Sequence, residues 1–122
     1  MKVSELQNIF TGLSQLAEKE FPVKTSLKIQ RNYQKVQDAL KPSEEVNKKL
    51  VEQYKESDDG QGGVTLKAET APDFHRKRAE LMDEDVEVEL ESISIEEIEQ
   101  VAEGTIKTQT LILLNEIIKE DK

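Results

Sequence analysis

Between Asp83 and Glu103 the chain carries ten carboxylates and not one Lys or Arg. Inside that run Glu87, Glu89 and Glu91 alternate with Val86, Val88 and Leu90. On an extended chain this alternation sets three carboxylates on one face, about 6.6 Å between successive residues. Such a row can bridge a hard cation, dock a basic partner or simply face water. Nothing in the pattern closes a loop of oxygen ligands around a cation. Asp58-Asp59-Gly60 fails as an EF-hand loop on register, because with Gly60 in position six the first and twelfth positions are Lys55 and Leu66. With no cysteine and a single histidine, His75, thiolate and His-pair metal sites are excluded.

The complementary feature lies upstream. Lys24, Lys28, Arg31 and Lys35 recur at helical spacing. At about 100° per residue they form one stripe, centred roughly 140° from the apolar stripe of Ile29, Tyr33, Val36 and Leu40. Residues 1–55 sum to +3 and residues 56–122 to −12, within a net charge of −9. The simplest reading is that the basic stripe meets the acidic row, within the chain or across an interface between copies. The alternative is an acidic surface that docks a basic partner. Glu87, Glu89, Glu91, Lys24, Lys28, Arg31 and Lys35 are therefore the candidate partner-binding residues. His75 with Arg76, Lys77 and Arg78 makes a smaller basic patch, but the net charge opposes binding to a polyanion, and no nucleic-acid partner is expected. A phosphate-binding loop with its lysine, a nucleophile elbow and a carboxylate pair in apolar surroundings are all missing. The expectation is a non-enzymatic protein with no cofactor and no metal.

These residues must be positioned by a thin core. Hydrophobic and charged residues each make up 35% and aromatics 4%, so Leu, Ile and Val have to do the packing. Leu6, Ile9, Phe10, Leu13 and Leu16 predict an amphipathic helix from a cap at Ser4 to the break at Phe21-Pro22, with Gly12 tolerated inside it. Thr25 or Ser26 is expected to cap a long helix, kinked at Pro42, whose apolar side continues through Val46, Leu50, Val51 and Tyr54. Residues 57–63 read as a glycine turn, 64–67 as a short strand, and Ala71-Pro72-Asp73 as the start of a helix carrying Phe74, Leu81 and Met82. The alternating stretch 85–91 reads as a strand. Ser94 with Glu97 makes a capping box for a helix that Gly104 ends, and the aliphatics of 106–118 suggest a C-terminal helix.

The expected fold is α+β and mostly helical, in one domain over residues 1–122. A helical hairpin packs with a small antiparallel sheet from 64–67 and 85–93, plus the C-terminal helix. About six aliphatics crowd that last helix, more than a thin monomeric core covers, so self-association is expected. No apolar run reaches the ~18 residues of a membrane span, and the N-terminal residues lack the apolar core of a signal peptide. The location is expected to be cytoplasmic.

The order of segments carries one resemblance. A leucine-rich helix leads through Pro22-Val23-Lys24-Thr25-Ser26-Leu27-Lys28-Ile29 to a long helix ending Lys49-Leu50-Val51-Glu52-Gln53-Tyr54. An acidic glycine turn, a helix ending Ala79-Glu80-Leu81-Met82 and the strand Val86-Glu87-Val88-Glu89-Leu90 follow. Across residues 4–118 this resembles a group of small acidic proteins of unknown function encoded by phages and prophages of Gram-positive bacteria, from which Pro42 departs. The resemblance implies a protein of virion assembly or host interaction, in the host cytoplasm or associated with the virion. An assembly or morphogenesis adaptor is the expected role, and an inhibitor of a host nuclease or defence protein is its competitor. Its partner would be another protein or a second copy.

Overall fold

The computed structural model describes residues 1–58, 64–66, 68–102 and 104–119. The first helix, α1 (Val3–Ala17), buries Val3, Leu6, Ile9, Leu13 and Leu16 along one side. It starts one residue before Ser4, the expected cap. Its first turn is instead fixed by Glu5, whose carboxylate accepts the Lys2 N–H at 3.0 Å, and by pairing with a distant segment. The Val3 N–H donates to the Glu84 carbonyl at 3.0 Å, and the Val86 N–H donates to the Met1 carbonyl at 2.7 Å. That pairing draws Val3 into the core and leaves Ser4 within the helix. Gly12 does more than tolerate the helix. A Cβ there would lie 2.6 Å from Cγ of the fully buried Leu114.

The second helix, α2 (Val23–Tyr54), is 32 residues long and spans about 48 Å. It begins two residues before Thr25, because Pro22 ends the preceding chain and its carbonyl takes the Ser26 N–H at 2.9 Å. Thr25 and Ser26 thus sit in the first turn rather than capping it. The buried stripe is Thr25, Ile29, Asn32, Val36, Leu40 and Ser43, spaced by four, three, four, four and three. Tyr33 flanks it and stacks on Phe10 with ring centroids 4.9 Å apart. The helix runs on through Pro42. The proline cannot donate to the Asp38 carbonyl, but both residues are exposed, so water can serve that carbonyl. Val46, expected on the apolar side, is exposed, and the lower half of the helix packs through Leu50 and Tyr54 instead.

The antiparallel sheet expected from 64–67 and 85–93 does not form. β1 (Lys55–Asp58), directly after α2, pairs antiparallel with β2 (Val64–Leu66). A hairpin closes a far shorter loop than a pairing across the next helix would, so the local pairing costs less chain entropy. The glycine turn expected between them lies mostly outside the described residues. Next comes α3 (Ala71–Met82), which starts where Ala71-Pro72-Asp73 places it and buries Phe74.

Residues 85–90 keep the predicted alternation of burial without forming a strand, and Glu91, expected on the solvated face, is half-buried instead. Val86, Val88 and Leu90 are half-buried against the core, while Glu87 and Glu89 are exposed. The neighbours of this segment are helices, so its only ladder pairing among the described residues is the antiparallel bridge Asp85–Lys2. Alternation reports one buried face, and a ladder needs a strand edge as well. The sheet that packs with the helices is parallel. β3 (Ile93–Ser94) lies beside β4 (Ile118–Lys119), with the Ile93 N–H donating to the Ile117 carbonyl at 2.9 Å.

α4 (Ile95–Glu99) opens with the predicted capping box. The Glu97 N–H donates to Ser94 Oγ at 3.0 Å, and the Ser94 N–H donates to Glu97 Oε1 at 3.1 Å. The expected C-terminal helix shrinks to α5 (Thr108–Leu113), followed by a turn and β4. Thr110, Leu114 and Ile117, spaced by four and three, turn into the core, and Leu111 and Ile112 are left exposed. Ile93, Ile98, Leu114 and Ile117 join α1 and the first half of α2 in one apolar cluster.

Candidate functional site

The basic stripe of α2 and the acidic run meet in a clamp over residues 91–97. Arg31 grips Glu91 with two parallel bonds, Nε to Oε2 at 2.7 Å and a terminal guanidinium nitrogen to Oε1 at 2.9 Å. Lys28 Nζ lies 2.8 Å from Glu97 Oε1 and donates to the Ser92 carbonyl at 3.2 Å. Between these charged pairs sits Asn32, completely buried. Its amide donates to the Glu91 carbonyl and accepts the Glu91 N–H, both at 2.8 Å. A side-chain amide carries a donor and an acceptor side by side, and here it does for Glu91 what a neighbouring strand would do.

Charge follows this geometry. The hydrogen bond from Arg31 holds the Glu91 carboxyl below its usual range against the opposing effect of burial, with Lys35 and Lys28 adding favourable charge. The same bond raises the Arg31 guanidinium. For Glu97, burial pushes upward, but the hydrogen bonds from Lys28 and Ser94 outweigh it and the pKa falls. The Arg31–Glu91 pair is half exposed, and ion pairs in that setting contribute little. Asn32 is therefore the stronger fastening.

Of the seven candidate residues, Lys28, Arg31 and Glu91 are brought together in the clamp. Lys24, Lys35, Glu87 and Glu89 are exposed, and none of them holds an ion pair among the described residues. Sequence reasoning missed Asn32, although one signal was there: a polar residue three positions after Ile29 and four before Val36, in the middle of the apolar stripe.

The basic patch around His75 is largely used within the fold. Asp73 accepts from the Tyr54 hydroxyl and pairs with Arg76, and Lys77 Nζ lies 3.8 Å from its second oxygen. The Tyr54 hydrogen bond leads in lowering the Asp73 pKa. Lys77 also sits 5.3 Å above the Tyr54 ring, and Arg78 donates to Asn47. These contacts fasten the end of α2 to the start of α3. Among the described residues no group of three or more His, Asp or Glu side chains is arranged to hold a metal ion. No described helix is long and apolar enough to cross a membrane.

A second surface has a different chemistry. An open groove between α4 and the C-terminal segment is lined by Ile95, Ile98, Leu111 and Ile118, with Glu99 and Asn115 at its rim. Ile95 and Leu111 are each 37% exposed. The sequence placed Leu111 on the apolar half of a longer C-terminal helix, Ile112 off that half, and Ile95 on the helix that Ser94 caps. Neither a family model, nor a curated protein, nor a solved structure matches this chain.

Proposed function

We propose that this chain is a non-enzymatic protein-interaction module that works through the apolar groove between α4 and α5. The observation that carries the reading is the exposure of Ile95 and Leu111 in one groove, in a chain otherwise short of apolar residues. Contiguous exposed apolar surface rimmed by polar residues is the usual mark of a protein contact. The role suggested by the resemblance to phage and prophage proteins, an adaptor in virion assembly or morphogenesis, is of this kind. The test is the double substitution Ile95→Lys with Leu111→Lys. Both positions are exposed, so the far-UV spectrum should be kept while proteins that co-purify with the wild type from the producing cells are lost. Retention of all of them by the variant removes the reading.

One observation favours a second reading, an inhibitor of a host nuclease or defence protein. Asp85, Glu87 and Glu89 line an open depression beside Met1, and the two glutamates hold no ion pair among the described residues. A basic partner docking there would bind with an on-rate that falls steeply with salt. Glu87→Gln with Glu89→Gln would abolish it without touching the clamp.

A further inference from the structure

We propose that copies of this chain associate head to tail, the ridge of Val23 and Leu27 at the start of α2 in one copy seating in the Ile95–Leu111–Ile118 groove of the next. The inference rests on the interaction reading above and names its partner as a second copy.

Val23 is 76% exposed and Leu27 is 53% exposed. They stand one helical turn apart, on the side of α2 facing away from the buried stripe of Thr25, Ile29 and Asn32. Nothing in the fold requires apolar residues there. Two aliphatic side chains a turn apart match a groove walled by aliphatics on both sides.

Charge fixes the pairing. Lys24 adjoins the ridge and Glu99 stands at the rim of the groove; both are exposed, and neither holds an ion pair among the described residues. Ridge against groove brings Lys24 toward Glu99. A symmetric groove-to-groove dimer would instead gather two copies of Glu99 with no cation from the groove lining to meet them, and a ridge-to-ridge dimer would gather two copies of Lys24. Because ridge and groove are different surfaces, each junction leaves one of each free. Growth then continues until a ring closes or a filament forms.

The experiment is light scattering behind size exclusion over a concentration series, on wild type, Leu27→Glu, Leu111→Glu and an equimolar mixture of the two variants. The wild type should pass beyond a dimer as concentration rises, and each variant alone should stay monomeric. The mixture should reach a dimer and stop, since only one junction can form from one intact ridge and one intact groove. If a melt shows either variant unfolded, Val23→Ser and Ile95→Ser test the same two faces more gently. Glu99→Lys should weaken association, and Lys24→Glu added in the same chain should restore it. A wild type that stays monomeric to the millimolar range overturns the proposal, as does a mixture that stays monomeric while the wild type associates. A monomeric wild type whose groove still takes up a different protein, lost in Leu111→Glu, would overturn the head-to-tail contact and leave the interaction reading standing.

Discussion

Replacing Asn32 by alanine removes the two 2.8 Å bonds that the amide makes to the Glu91 main chain. The Glu91 N–H and carbonyl are then left facing a small void beside Ile29 and Val36. An unsatisfied buried group costs about 1–3 kcal/mol. Glu91 is half-buried, so water can regain part of that, and the net loss should be about 2–4 kcal/mol. Against the ~5–15 kcal/mol that holds a domain of this size together, that is a large fraction. A loss near 3 kcal/mol should lower the melting temperature by about 8–15 °C, interpolating between shorter and longer chains. Thermal and urea denaturation followed by circular dichroism would measure it, with Gln30→Ala on the exposed side of α2 as a control expected within ~0.5 kcal/mol. Amide exchange adds a local readout, because the Glu91 N–H should lose its protection in the variant. A loss below ~0.5 kcal/mol, or unchanged protection of that amide, would refute the view that Asn32 fastens this segment to α2.

Gly12→Ala should destabilise the protein by about 1–3 kcal/mol in urea denaturation, despite a helix-propensity gain of up to ~1 kcal/mol, because the new methyl collides with Leu114. Ser94→Ala should cost about 1 kcal/mol by the same measurement, through loss of the α4 cap. In acid, the lowered pKa values of Glu91 and Glu97 mean that their contribution is present above the unfolded carboxylate range near ~4.3 and is lost as pH falls through their folded values. Melting temperature against pH should therefore fall less steeply between pH 6 and 3 in Glu91→Gln than in wild type.

What the sequence made legible is what local rules govern. Helix periodicity located α1 and α2, Ala71-Pro72-Asp73 located the start of α3, the Ser94/Glu97 spacing located the α4 cap, and the alternation foretold that Val86, Val88 and Leu90 turn inward. The misreadings have a common cause. Pairing partners for 64–66 and 85–91 depend on which main-chain neighbours tertiary packing supplies, and a two-period pattern carries no information about them. The length of the C-terminal helix failed for a related reason: the helix stops where Leu114 packs on Gly12 and the Ile117 carbonyl accepts the Ile93 N–H, contacts between distant parts of the chain. The matching of the basic stripe with the acidic row was legible in outline. Its details were not, because Glu97 joins Lys28 only once α4 is in place, and Glu87 and Glu89 stay exposed without an ion pair among the described residues.

The claim that the apolar groove, rather than the charged row, is the binding surface can be tested by one comparison. A photoreactive amino acid is placed at position 99, on the groove rim, and in a second protein at position 87, in the exposed acidic row. Both are irradiated in the producing cells, and the adducts are sized and identified by mass spectrometry. The account predicts discrete protein adducts from position 99, lost when Leu111→Lys is added, and none from position 87. Adducts from position 87 with none from position 99 would contradict it.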